Sequence, residues 1–161
     1  MIRPAQAGDA EALAAIYNPY ITGSTITFEE VPLAPAALAA RVAEVQAAGL
    51  PWLVLEDGGE VQGYAYATRW RARSAYRFSV ETSIYLRQGQ AGRGLGRRLY
   101  EALFDALRPL GVHVVIGGIA LPNDASVALH ERLGMKPVAR FEQVGRKFDR
   151  WIDVGYWQRL L

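Results

Sequence analysis

Apolar residues along this chain recur with two periods, and each predicts a type of element. At helical spacing, Ala12, Leu13, Ile16, Tyr17 and Tyr20 form one stripe, which predicts a helix capped by Asp9 and stopped by Gly23. Pro35 opens a second helix, with Leu38, Val42 and Val45 on one face and an end near Gly49. The longest stripe is Leu95, Leu99, Leu103, Ala106, Leu107 and Leu110, while Arg97, Arg98, Glu101, Asp105 and Arg108 face the other way. Such a helix covers a sheet. Leu121, Pro122, Asn123 and Asp124 start a shorter helix through Leu133, closed by Gly134.

Between these helices the period changes to that of strands. Ile2 to Pro4, Trp52 to Leu55, Val61 to Thr68, Phe78 to Leu86 and Val112 to Ile119 read as strands. Val138 to Val144 and Trp151 to Trp157 add a final pair around the turn Lys147, Phe148, Asp149 and Arg150. Asp57, Gly58 and Gly59 predict a hairpin between the second and third strands. The unbroken apolar run from Val112 suits a strand buried on both faces. In the fourth strand, Phe78, Val80, Thr82, Ile84 and Leu86 share one face, and Arg77, Ser79, Glu81, Ser83 and Tyr85 share the other. Glu81 therefore sits mid-strand among polar neighbours. The connector Ser24, Thr25, Ile26, Thr27 and Phe28 is apolar and β-branched, so it either packs on the core or lines a pocket. Alternating strands and helices give a mixed α/β sheet.

Composition narrows the chemistry. With 161 residues and 51% hydrophobic content, one domain over residues 1–161 can bury its own core. No cysteine is present and only two histidines, which excludes disulfides, thiolate metal sites and a cysteine nucleophile, so no metal is expected. The start of the chain lacks an apolar signal core and no run is long enough to span a membrane, so the expected setting is the cytoplasm, away from membranes. A net charge of +2 is too small for bulk attraction to nucleic acid, despite a pI near 9.0. Arg69, Arg71, Arg73, Arg77, Arg87, Arg93, Arg97 and Arg98 nevertheless cluster with Glu81 as the one acid among them. That segment either meets anions or forms a solvated basic face.

Gln90, Ala91, Gly92, Arg93, Gly94, Leu95 and Gly96 join the fourth strand to the longest helix. Glycines at alternate positions let backbone N–H groups turn towards an anion, and the helix adds the positive end of its dipole. A dinucleotide fold places such a turn after its first strand, and a P-loop needs Gly-Lys-Ser/Thr. Neither pattern is present, and a plain tight turn remains open.

These features resemble the GNAT superfamily of N-acetyltransferases, whose motif after the fourth strand is Gln or Arg, two residues, Gly, one residue, then Gly or Ala. Gly94 and Gly96 fit it. The first position falls on Ala91, with Gln90 one residue early, so a side-chain contact often made there is missing or displaced. A second element fits Asn123, Ser126, Gly134 and Met135, with His130 where many members carry tyrosine. More closely, the chain is similar to the phosphinothricin and methionine sulfoximine N-acetyltransferases. The matching stretches are Trp70 to Arg73, Val80 to Thr82, Leu121 to Val127, Leu129 to Glu131 and Gly155 to Gln158.

The resemblance implies a mixed, mostly antiparallel sheet of about six or seven strands, splayed after the fourth and flanked by about four helices. It implies acetyl-CoA as co-substrate, held by Ile84, Tyr85, Leu86, Gly92, Arg93, Gly94, Leu95, Gly96, Arg97, Asn123 and Ser126. It also implies a small amino-acid-like substrate, held by Arg71, Ala72, Arg73, Glu81, Thr82, Ser83 and Phe28, and a homodimer.

The chemistry agrees with this picture. An α-amine of pKa near 8 is about 90% protonated at pH 7, and only the neutral form attacks a thioester. Glu81 stands at the proposed base position; its alternative is a salt bridge to an arginine. His130, about two helical turns beyond Asn123, either protonates the departing thiolate or packs. Asn123 either contacts the pantetheine arm or simply caps its helix. Arg71 or Arg73 is placed to grip a substrate carboxylate.

Overall fold

The computed structural model describes residues 1–161 and places seven strands in one sheet. These are β1 (Ile2–Pro4), β2 (Trp52–Asp57), β3 (Glu60–Arg69), β4 (Ser79–Leu86), β5 (Val114–Ala120), β6 (Lys136–Lys147) and β7 (Arg150–Leu160). The helices are α1 (Ala10–Gly23), α2 (Pro35–Ala47), α3 (Leu95–Leu107) and α4 (Asp124–Arg132). The strand order is β1-β2-β3-β4-β5-β7-β6, and β4 and β5 form its parallel pair. No helix is long and apolar enough to cross a membrane.

The sheet carries a core on each face. In β2, Trp52 and Val54 point to α1 and α2, where they meet Leu13, Ile16, Leu38 and Val42. Leu53 and Leu55 point to the opposite face and meet Leu99, Leu103 and Leu107 of α3. Side chains that alternate across a strand make an apolar run such as Trp52–Leu55 a double-sided anchor. Removing one of these buried leucines would cost about 2–5 kcal/mol, because both the transfer energy and the packing are lost.

The feature that organises the molecule is where β4 and β5 stop pairing. Their ladder holds for Ser79 with Val114, Val80 with Val115 and Glu81 with Ile116, and no further. Beyond that point β4 stays paired with β3 as far as Leu86, and β5 stays with β7 as far as Ala120. The sheet therefore opens into a cleft at Glu81.

Some sequence expectations need correction. Asp9 stands at the start of α1, yet its side chain caps no helical amide. It accepts from the Gln6 N–H at 2.8 Å and from Arg3 at 2.9 Å instead, since a guanidinium is the stronger donor. Leu110 lies beyond α3 and is 53% exposed, and Phe78 precedes β4 and is 47% exposed. Both continue a stripe past the end of the element that buries it. Tyr85 keeps to the face it shares with Glu81 and Ser83, but that face is not solvated there: Tyr85 packs among Tyr17, Tyr20 and Tyr64. Lys147 is no solvated turn residue either. Its ammonium is buried and donates to the Thr27 carbonyl at 2.8 Å.

Candidate active site

Two adjoining cavities open where the sheet splits, and Glu81 lies in the wall of both. The smaller, about 70 Å³, runs between the ends of β4 and β5. It is lined by Thr82, Ser83, Ile84 and Tyr85 on one side, and by Gly118, Asn123, Ser126 and His130 on the other. The larger, about 350 Å³, lies towards β6 and β7 and is lined by Ile26, Phe28, Gly118, Ala120, Phe141, Val144, Val154 and Tyr156. Burial pushes the Glu81 carboxyl above the usual carboxylate range, and the nearby Arg71 guanidinium opposes the rise.

Glycines in β5 make room for this arrangement. A Cβ on Gly117 would stand 2.8 Å from the His130 ring, and one on Gly118 would stand 3.0 Å from Tyr156 and 3.5 Å from a Glu81 carboxylate oxygen. Arg71, near enough to Glu81 to act on its charge, stacks its guanidinium on Trp70 at 4.0 Å and donates to the Trp70 carbonyl at 3.0 Å. Trp70 in turn meets Tyr156 edge-on at 5.6 Å. Arg71, Ala72 and Arg73 are all exposed, and none of them lines either cavity.

His130 is buried, and burial lowers its pKa. The neutral ring has one N–H, and its position follows from its partners. Nδ1 lies 2.7 Å from the Ser126 carbonyl, which can only accept, so Nδ1 carries the proton. Nε2 then accepts from the Tyr100 hydroxyl at 3.1 Å. In this state the ring directs no proton into the cleft. Asn123 caps α4, its side-chain oxygen accepting from the Ser126 N–H at 3.2 Å, while it also lines the smaller cavity.

The glycine turn leads from the cleft to α3. Gly92 and Gly94 have φ of +79° and +73°, with open space where a side chain would stand, and Gly94 starts the helix. The first helical amides, those of Leu95, Gly96 and Arg97, lack intrahelical acceptors, as at any helix start. Gly96 differs, because a Cβ there would press on Leu129 at 3.1 Å; it is a packing glycine. Arg93 and Arg97 are not free. Arg93 pairs with Asp57 at 3.0 Å and also meets Gln90, and Arg97 pairs with Glu101 at 2.8 Å. These pairs are exposed and contribute at most about 1 kcal/mol each, so an anion can compete for either arginine. Leu86 lines neither cavity; its carbonyl accepts from the Tyr20 hydroxyl at 2.5 Å.

The connector Ser24–Phe28 both packs and lines a pocket. Thr27 is buried and shares a 2.7 Å hydrogen bond with Tyr17, while Ile26 and Phe28 face the larger cavity. Sequence reasoning missed Tyr100 and Tyr156 as site residues. A hydroxyl-bearing residue one turn beyond Gly96, within the most apolar stripe of the chain, was the available signal for Tyr100. Tyr156 stood in a matched stretch without an assigned role.

A cleft between parted parallel strands, with a glycine turn at a helix start and a half-buried carboxyl at its vertex, is the arrangement of an acyl-transfer enzyme. Residues 2–155 match the family model described as an acetyltransferase (GNAT) domain, and the chain belongs to that family of acetyltransferases. The phosphinothricin N-acetyltransferase of Streptomyces viridochromogenes is 41% identical over 98% of this chain and 86% of its own. The L-methionine sulfoximine/L-methionine sulfone acetyltransferase of Pseudomonas paraeruginosa is 39% identical, covering 98% and 92%. Among solved structures, a phosphinothricin acetyltransferase from Sinorhizobium meliloti in complex with acetyl-CoA superposes with a TM-score of 0.95 at 36% identity, covering 100% of this chain and 88% of that one.

Proposed function

We propose that this single-domain protein moves the acetyl group of acetyl-CoA to the α-amino group of a small amino-acid-like substrate, in one ternary complex. The observation that carries the reading is the position of Glu81 in the wall shared by two adjoining cavities. One cavity suits the thioester arm, and the other suits the amine that attacks it.

In this reading the amine nitrogen bonds to the thioester carbonyl carbon, the C–S bond breaks, and the proton lost by nitrogen passes to Glu81, directly or through water. A carboxyl raised above its usual range is a better base for that step than a solvated one. Arg71, held by Trp70, takes the substrate carboxylate. The turn from Gly92 to Gly96 and the start of α3 receive the pyrophosphate of the cofactor. Asn123 and Ser126, with Ile84 and Tyr85 opposite, line the path of the pantetheine arm. The thiolate has a pKa near 8.5 and leaves with little assistance. Tyr100 supplies a rotatable hydroxyl on the cleft wall, and His130 acts as its positioning residue rather than as a proton donor. Holding the reactants in line contributes the most, roughly 7 kcal/mol or more.

A homodimer, the state the family resemblance implies, gives cover to Val138, Phe148 and Trp151, which are exposed on β6, β7 and the turn between them. Sedimentation velocity tests it, and a monomer at micromolar concentration overturns it. The cytoplasm is the proposed setting. For the activity, the purified protein is incubated with acetyl-CoA and a panel of amino acids and their analogues, and product masses are measured. N-acetylated product is expected. Tight acetyl-CoA binding with no product from any amine would instead make this an acyl-CoA-binding module.

A further inference from the structure

The larger cavity says which amino-acid side chain it accepts, an inference that rests on the acetyl-transfer reading above. Apart from Glu81, every side chain lining it is apolar or aromatic. Its volume, about 350 Å³, is at the small end of ligand pockets and suits one small molecule.

The cations nearby are turned away. The roof is the segment carrying Ile26 and Phe28. Lys147 is buried behind it, committed to the Thr27 carbonyl at 2.8 Å. Arg41 is held by both oxygens of Glu29, at 2.9 and 2.5 Å. Phe28 rests on Gly145, where any Cβ would fall on its ring, and the residues that Lys147's strand gives to the cavity are the apolar Phe141 and Val144. The remaining guanidinium close to Glu81 is that of Arg71, which the α-carboxylate occupies. A second anionic group on the substrate would therefore sit unpaired among apolar side chains and face the Glu81 carboxylate. Burying a charge without a partner is strongly unfavourable.

We propose that this cavity selects amino acids with an uncharged, apolar side chain of about the size of methionine to phenylalanine, and disfavours those with an anionic side chain, phosphinothricin included. Specificity is set by the aromatic roof and by the absence of a cation in the lining. Val144, which is 61% exposed at the cavity wall, is the position where a cation can be added at little cost to the fold.

The test is kcat/KM for methionine, phenylalanine, glutamate and phosphinothricin at saturating acetyl-CoA, in the native enzyme and in Val144→Lys. In the native enzyme, methionine and phenylalanine should exceed both anionic substrates at least 100-fold. In Val144→Lys, the values for glutamate and phosphinothricin should rise at least tenfold, while that for methionine falls. Equal or greater native activity on the anionic pair overturns the proposal and leaves acetyl transfer standing. So does a Val144→Lys enzyme in which the ratio of anionic-substrate to methionine kcat/KM is unchanged. Absence of product from all four, with acetyl-CoA bound, overturns the acetyl-transfer reading itself.

Discussion

The proton on the His130 ring points at the Ser126 carbonyl, 2.7 Å from Nδ1, which leaves Nε2 to accept from the Tyr100 hydroxyl at 3.1 Å. The pair is buried, so Nε2 depends on Tyr100 for its hydrogen bond, while the Tyr100 hydroxyl also accepts from Thr82 at 3.4 Å. Tyr100→Phe keeps the ring packing and strands Nε2, which should lower stability by about 1–3 kcal/mol. Because Tyr100 lines the smaller cavity, kcat should also fall about tenfold, a small effect in keeping with a leaving group that needs little acid. Urea melts and steady-state rates measure both. An unchanged kcat would remove Tyr100 from the reaction.

Glu81 must be ionised to accept a proton, and burial raises its pKa. The rate should therefore fall as pH drops through that raised value, which lies above the ordinary carboxylate range of about 4.3. Glu81→Gln should lose this acidic limb and retain only the titration of the substrate amine, with kcat lower by about 10²-fold. A pH–rate profile of both proteins decides the matter, and superimposable profiles would exclude the base role.

Arg71 and Arg73 occupy different surroundings despite their proximity in the chain. Arg71 influences Glu81 and Tyr156, whereas Arg73 lies in the exposed turn before β4. Arg71→Ala should raise KM for the amino acid by about 10²-fold, the loss of a charge-assisted pair of roughly 2–3 kcal/mol. KM for acetyl-CoA should barely move. Arg73→Ala should leave both constants within about threefold, since exposed charges contribute little. Initial-rate kinetics with each substrate varied in turn is the check.

In the glycine turn, the backbone rather than a side chain is expected to hold the cofactor. Gly94 has φ of +73°, a conformation that a β-branched residue adopts only with strain of about 1–3 kcal/mol. Gly94→Val should weaken acetyl-CoA binding about tenfold or more, whereas Ala91→Arg should preserve it. Isothermal titration with acetyl-CoA measures both. Loss of binding in neither variant would move the pyrophosphate elsewhere.

Acid should unfold the protein through two ion pairs. Arg3 holds the Asp9 carboxyl below its usual range, and Arg41 does the same for Glu29. A carboxyl with a depressed folded-state pKa contributes its full stability above the unfolded value, about 3.9 for Asp and 4.3 for Glu. That stability is lost as pH falls through the folded values. Melting temperature should thus drop steeply below about pH 4. Arg3→Met and Arg41→Met should make that drop shallower, as differential scanning fluorimetry across pH would reveal.

What sequence made legible was whatever local chemistry decides. The Asp57-Gly58-Gly59 hairpin, Pro35 opening α2, Asn123 capping α4 and the stripe of α3 all depend on residues a few positions apart. Glu81 was legible because alternation along β4 put it at one register position. The rest depends on contacts across the chain. Lys147 reads as a turn residue until Thr27, 120 positions away, supplies its acceptor. Arg93 reads as unpaired until Asp57, 36 positions away, supplies a partner for which an anion must compete. Asp9 reads as a cap because its position is right, and only the fold brings Arg3 close enough to compete. Tyr100 hides in an apolar stripe whose periodicity is satisfied whether or not its hydroxyl has a partner.

The short ladder between β4 and β5 has a mechanical consequence. Three residue pairs, ending at Glu81 and Ile116, are all the strand pairing that joins β1–β4 to β5, β7 and β6, so the sheet is two half-sheets on a narrow hinge. Past the hinge, each half presents an unpaired strand edge to the other, and such edges bind extended polar chains. A pantetheine arm with its two amides is such a chain, and under the proposed function it runs between these edges as a staple. Ligand that binds only the folded state adds about 2.7 kcal/mol at a hundred times its dissociation constant. Under the proposed function, bound cofactor thereby reinforces a junction that is otherwise held by the core beneath α3, which touches both halves.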